Sequence, residues 1–207
     1  MKTKYELTKL EEMAYQEGYQ IIAGVDEAGR GPLAGPVVAA ACIFPRGLVL
    51  EGVDDSKKIS PIKREEIYQI LVSHPEIDFA IGVVEQAQID VINILQASLA
   101  AMAIAVKNLI VEPDFLLVDG NQLPPTRIPS KAVVKGDSLS QSIAAASILA
   151  KHSRDQMMLQ LHLKWPQYGF DKHKGYATRA HLQAIQKHGP CPIHRKSFEP
   201  IKSILAK

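Results

Sequence analysis

The stretch from Ile21 to Pro36, IIAGVDEAGRGPLAGP, constrains this chain more than any other. Ile21 to Val25 read as a buried apolar strand, and they run directly into two adjoining carboxylates, Asp26 and Glu27. Acids in such a place repel each other and lose hydration, so a fold that keeps them supplies a cation. A Gly-Arg-Gly turn follows, in which Gly29 and Gly31 leave the main chain bare on either side of Arg30. Another backbone, such as that of a nucleic acid, can approach a turn of this kind closely. The stretch predicts a metal-dependent site with a phosphate-reading loop beside it.

The rest of the chain supplies a frame for that site. Leu7 to Gly18 have helical spacing, with Leu7, Leu10, Met13 and Ala14 on one side and acids opposite. Val37 to Phe44, a continuous apolar run, predicts a strand buried on both faces. Ser60 and Pro61, with Glu65 and Glu66 placed in the first turn, predict a helix to about Ser73, and Asp78 to Val84 a third strand. Gln86 to Leu109 contains neither proline nor glycine and predicts one strong helix. Phe115 to Val118 then form a short strand ending on Asp119, and Ala132 to Val134 another ending at Gly136-Asp137. Ser138 is the expected cap of an alanine-rich helix that runs to about Trp165, and a short helix is expected around Thr178 to Lys187.

Strands alternating with helices after an opening set of strands imply an α/β sheet with helices on its faces. In such sheets ligands collect at the ends of neighbouring strands, so three strands that finish on acids bring those acids together. Asp26, Glu27, Asp119 and Asp137 offer hard oxygen donors and no soft ones, which points to magnesium or manganese rather than zinc. Two such ions about 4 Å apart can activate water on one side of a phosphodiester and stabilise the departing oxygen on the other. Taken alone, a strand-end aspartate is more often a turn former or a helix cap, and Asp137 beside Ser138 also suits a helix start. Arg30, the Lys57-Lys58 pair and Tyr176 each have an ordinary surface reading as well. The joint pattern of three strand ends and a doubled acid outweighs those separate readings.

Composition narrows the class. A chain of 207 residues, 46% hydrophobic and 22% charged, suits one globular domain, here a core over residues 1–165 and a C-terminal helical segment, 166–207, folded over the site. No apolar run reaches the roughly 20 uncharged residues of a membrane span. The acid-bearing N-terminus does not read as a signal peptide, and two cysteines with no metal or disulfide spacing fit a reducing compartment, so the cytoplasm is expected. The net charge of +2 is mild, yet from Lys164 to Lys207 there are nine lysines and arginines against two acids. A monomer is the default expectation.

Five blocks carry a resemblance: GVDEAGRGPLAGPVV at Gly24 to Val38, DSKK at Asp55 to Lys58, VDGN at Val118 to Asn121, KGDSLSQSIAAASILAK at Lys135 to Lys151, and HKGYATRAH with GPCPIHRKSF between His173 and Phe198. In their order and spacing the chain resembles the bacterial ribonuclease HII family, the type 2 ribonucleases H. The resemblance implies a ribonuclease H-like fold, a mixed sheet flanked by helices with a C-terminal helical appendage. It implies an endonuclease that cuts the RNA strand of RNA/DNA hybrids and single ribonucleotides embedded in duplex DNA, with Mg2+ or Mn2+. Asp26, Glu27, Asp119 and Asp137 match the family's catalytic, metal-binding carboxylates. Gly29, Arg30 and Gly31 match its junction-gripping loop, Tyr176 the tyrosine that stacks on the deoxyribose, and Lys57 a phosphate neutraliser. The short segment before the first strand and the Gly-Arg-Gly loop resemble type 2 rather than ribonuclease HIII. The residues without the resemblance leave open another two-metal nuclease of the same broad fold, or a noncatalytic hybrid-binding module.

Overall fold

A computed structural model describes residues 4–53 and 59–206. Five strands form one sheet in the order β3-β2-β1-β4-β5. Strands β1 (Ile22–Ala28), β2 (Val37–Ile43) and β3 (Asp78–Val84) make an antiparallel meander, while β4 (Phe115–Asp119) and β5 (Ser130–Val133) join it in parallel. Burial on both faces explains the unbroken apolar run of β2, every residue of which is buried. The mixed sheet and flanking helices are those expected.

On one face lies α3 (Gln86–Lys107), whose Ala97, Ala101 and Ala105 pack on Ala23, Val25, Ala39, Ala41, Leu116 and Val118. On the other lies α4 (Gln141–Lys164), with Ala144 to Ala146, Ile148 and Leu149 against Ala40 and Cys42, beside α2 (Pro61–Ser73). Small side chains let α4 sit almost on the strands: a Cβ on Gly24 would stand 2.1 Å from the Ser142 carbonyl carbon. Any larger residue at position 24 would force the helix away from the sheet. Helix α1 (Lys4–Gln16) lies on the α4 side of the sheet, with Ala14 packed near Ile22, Phe115, Leu117 and Ile143.

Several local expectations are corrected. Strand β1 does not stop at Val25. It continues through Asp26 and Glu27 because β2 keeps pairing with it, Asp26 opposite Ala40 and Glu27 opposite Ala39. Helix α3 is broken at Asn93, which adopts φ 67 and ψ 166; its Oδ1 accepts from the N–H groups of Leu95 and Gln96 and starts a second helical segment. Strand β5 ends at Val133, so Asp137 is not at a strand end but in a 3-10 turn, Gly136–Ser138. The cap of α4 is Ser140, not Ser138, since its Oγ accepts from the Ile143 N–H. In α2 the cap and proline stand as expected, but Glu65 and Glu66 lie beyond the first turn. In α1 one acid is not solvated: Glu11 is buried, and its Oε1 accepts from Ser140 Oγ, Ser142 Oγ and the Ser142 N–H, binding α1 to the start of α4.

The C-terminal part comprises α5 (Phe170–His173), α6 (Arg179–His188) and α7 (Ile201–Leu205). Its apolar residues Tyr168, Phe170, Ile185, Ile193 and Ile201 pack on Leu33 and Ala34, just past the Gly-Arg-Gly turn, and on Met158 of α4. Main-chain hydrogen bonds from Leu33 to Gly175, Gly35 to Ile193 and Arg195 to Leu33 sew the two regions together.

Candidate active site

Parallel pairing of β1 with β4 decides which acids meet. Val25 is registered with Val118, so one step further Asp26 lies beside Asp119 on neighbouring strands, about 4.8 Å apart by sheet geometry. Alternation along β1 puts Asp26 on the α4 side, with Gly24, and Glu27 on the α3 side. Asp26 is 3% exposed. Burial pushes its carboxyl well above the ordinary range, and the charges of Glu27 and Asp119 add to the effect, against hydrogen bonds from Ser147 and the Glu27 N–H. Burial also raises Glu27, opposed by the Arg30 guanidinium 3.2 Å away and reinforced by Asp119. Asp119 Oδ1 accepts from the Gly136 N–H at 2.7 Å, which brings the turn carrying buried Asp137 up to the same corner.

These acids are neighbours, each engaged by a different donor. Among the described residues no three His, Cys, Asp or Glu side chains stand close enough to hold a metal ion. Asp26 and Glu27 leave the strand on opposite faces, and Arg30 and the Gly136 N–H each hold one carboxylate. The donor chemistry nevertheless fits a hard divalent cation. The charges of Glu27 and Asp119 raise the proton affinity of Asp26, that of Asp119 raises Glu27, and among the described residues the charged partner on them is the half-exposed Arg30. All four candidates offer carboxylate oxygen, the preference of magnesium and manganese.

The loop and the tyrosine face each other. Gly29 has φ +98, and a Cβ there would stand 2.1 Å from Arg154 Nε. That position accepts only glycine, for conformation and for space alike. A Cβ on Gly31 would lie 3.7 Å from Tyr176 Cε1, so the Tyr176 ring lies against the loop while remaining 43% exposed. Arg30 is exposed beside Glu27. Lys57 falls outside the described residues. The expected constellation thus brings Gly29, Arg30, Gly31 and Tyr176 together at one edge of the acids.

Sequence reasoning passed over several residues here. Arg154 and Arg195 are fully buried behind the loop. Lys151 and Arg154 both lie 6.0 Å from the Tyr176 ring centre, and Lys151 is paired with Asp155. Ser98, from the second segment of α3, lines a small cleft with Glu27, Arg30, Leu95 and Asp119, and its hydroxyl is buried with no partner among the described residues. The buried arginines left no pattern in the sequence, because their partners are main-chain carbonyls. The C-terminal histidines, expected to serve structural or backbone contacts, form a chain: the Cys191 N–H donates to His194 Nδ1, His194 Nε2 lies 3.1 Å from His181 Nε2, and His181 Nδ1 donates to the Tyr176 carbonyl.

A mixed five-stranded sheet between helices, with acids gathered where β1 and β4 run side by side, defines a ribonuclease H-like fold. The model of the family described as Ribonuclease HII matches residues 23–201. The ribonuclease HII of Chlamydia caviae is 59% identical over 198 residues, 96% of this chain and 93% of the relative. That of Chlamydia trachomatis serovar L2 is 58% identical over 192 residues, 93% of this chain and 88% of the relative. Among solved structures, ribonuclease H2 from Pyrococcus horikoshii OT3 superposes with a TM-score of 0.73 at 27% identity, covering 89% of this chain and 96% of that one. Bst-RNase HIII in complex with Mn2+ shares the fold, with a TM-score of 0.69 at 21% identity over 93% of this chain and 71% of that one. The chain belongs to the ribonuclease HII family and is an endoribonuclease.

Proposed function

We propose that this enzyme hydrolyses the RNA strand of RNA/DNA hybrids and nicks duplex DNA on the 5′ side of a single embedded ribonucleotide, leaving 3′-hydroxyl and 5′-phosphate ends. The reading places it in the cytoplasm, acting as a monomer. One observation carries it: the acids Asp26 and Asp119 on adjacent parallel strands stand next to a glycine loop whose Gly31 faces Tyr176. Family membership and the Mn2+ complex of a structural neighbour support the metal requirement.

In this reading Asp26, Glu27, Asp119 and Asp137 hold Mg2+ or Mn2+. Bound in a pair, such ions supply an activated water and a Lewis acid for the departing oxygen. The protein's own groups do the rest. Asp26, buried and short of compensating charge, presents its carboxylate as a ligand with little water left to displace. Arg30 neutralises Glu27 before substrate arrives and is then free to meet a phosphate. Gly29 and Gly31 let main-chain atoms reach the ribose, whose 2′-hydroxyl distinguishes RNA from DNA. Tyr176 stacks on the sugar that follows, and Lys57 neutralises phosphate near the cut.

The test is a DNA duplex carrying one ribonucleotide, incubated with Mg2+ or Mn2+. The expected product is a single nick 5′ of the ribonucleotide, none on the all-DNA duplex, and loss of turnover in Asp119→Asn with binding retained. An intact ribonucleotide-containing duplex in the presence of either ion rejects the reading.

A further inference from the structure

Arg154 and Arg195 are 1% and 0% exposed, and among the described residues neither guanidinium is hydrogen-bonded to a carboxylate. Every nitrogen donates to main-chain carbonyls instead. Arg195 reaches Gly35 through Nε (3.0 Å), Arg30 through Nη1 (2.9 Å), and Gly29 and Pro36 through Nη2 (2.6 and 3.2 Å). Arg154 reaches Pro36 through Nε (3.0 Å) and Ala34 through Nη2 (3.1 Å), while its Nη1 crosses to Lys174, two residues before Tyr176 (3.1 Å).

Burying two like charges side by side works against folding, because each loses hydration and repels the other. The carbonyl fans offset that cost and orient the loop as well. In a trans peptide the C=O and the following N–H point opposite ways, so carbonyls of Gly29 and Arg30 drawn inward turn the N–H groups of Arg30 and Gly31 outward. Donors already polarised by a buried cation then face whatever approaches the loop. Of the two arginines, Arg154 is the one that donates to the tyrosine turn, beside the main-chain bond from Leu33 to Gly175.

We propose that Arg154 is a positioning residue that clamps the arm just past the Gly-Arg-Gly turn, residues 34–36, to the Tyr176 turn while its side chain packs under Gly29, fixing the gap between Gly31 and the Tyr176 ring in which a ribonucleotide followed by a deoxyribonucleotide is read; Arg195 holds only the loop. The inference rests on the proposed function and adds a determinant of substrate choice outside the acids and outside the reading residues themselves. A lysine cannot reproduce it, since one ammonium does not reach three carbonyls in a planar fan.

The experiment is a double-mutant cycle of Arg154→Lys and Tyr176→Ala, read as kcat/KM on the single-ribonucleotide duplex, with amide hydrogen exchange on the metal-free variants. Arg154→Lys alone should lower kcat/KM about tenfold, mostly through KM, the scale of one lost charged hydrogen bond. In the Tyr176→Ala background the same change should cost no more than about twofold. Exchange should quicken at 29–36 and 174–176 and not in β1, β2 or β4. An equal penalty in both backgrounds, or unchanged exchange at 174–176, overturns the proposal. Should Arg154→Lys fail to fold, Arg195→Lys carries the test: exchange should quicken at 29–36 and stay slow at 174–176, and equal quickening at both overturns it. A wild-type protein that leaves the duplex intact rejects the proposed function instead, and the exchange comparison then decides the clamp by itself.

Discussion

A carboxylate as deeply buried as Asp26 opposes folding until something neutralises it. Its folded proton affinity is raised, first by burial and then by Glu27 and Asp119, above the ordinary value near 3.8. The linkage sign follows: its contribution to stability is fullest below that ordinary value and is lost as pH rises through the raised one. Asparagine keeps an oxygen to accept from Ser147 and the Glu27 N–H while removing the charge. Asp26→Asn should therefore stabilise the metal-free protein at neutral pH by about 0.5–2 kcal/mol while abolishing cleavage, the usual trade at a functional site. Thermal melts in chelator and in Mn2+ check it. Wild type should gain in Tm with Mn2+ and the variant little, by mass action of an ion bound to the folded state. A variant that melts below wild type in chelator contradicts the account.

The break in α3 is the element that sequence pattern misread, and it shapes the site. Asn93 occupies a backbone region that glycine alone adopts without strain, costing about 1–3 kcal/mol, while its side chain caps the segment that delivers Leu95 and Ser98 to the acids. Asn93→Ala loses the cap and keeps the strain, so urea unfolding should show a loss of about 1–3 kcal/mol; Asn93→Gly, relieving the strain as the cap goes, should lie within about 0.5 kcal/mol of wild type. Equal losses in the two variants would remove strain from the explanation. The apolar period of residues 86–109 was legible and the break was not, because Asn is compatible with a helix and only the tertiary fit shows that this one leaves it. The same limit explains Glu11, which reads as solvated by its spacing and is buried because Ser140 and Ser142 turn toward it. The meeting of Asp26 and Asp119 at neighbouring strand ends was legible since strand pairing is set by apolar runs. The arginines behind the loop were not, as their partners are carbonyls and leave no side-chain signature.

At the scale of the molecule, the C-terminal segment and the glycine loop act as one piece whose integrity depends on neutral histidines. Burial lowers both His181 and His194 from 6.5 to about 4, and their rings form a hydrogen-bonded chain from Cys191 to the Tyr176 carbonyl. Around them stand Tyr168, Phe170, His173 and the Cys191 thiol, and among the described residues no acid is hydrogen-bonded to either ring. A base whose folded proton affinity is depressed contributes stability that is whole above pH 6.5 and is lost as pH falls toward 4, about 1.4 kcal/mol per pH unit for each histidine held neutral. Buried Asp26 works in the opposite direction on acidification, since protonation relieves it, so the sheet should outlast the appendage. The single tryptophan, Trp165, packs on the C-terminal cluster and reports on it separately from the sheet. Trp165 emission should therefore shift to the red between pH 6 and 4 ahead of the far-ultraviolet circular dichroism, and cleavage assayed after a brief acid exposure should be lost with the tryptophan signal rather than with the sheet. Coincident transitions would mean that the segment has no weakness of its own and that the histidine chain only fills space.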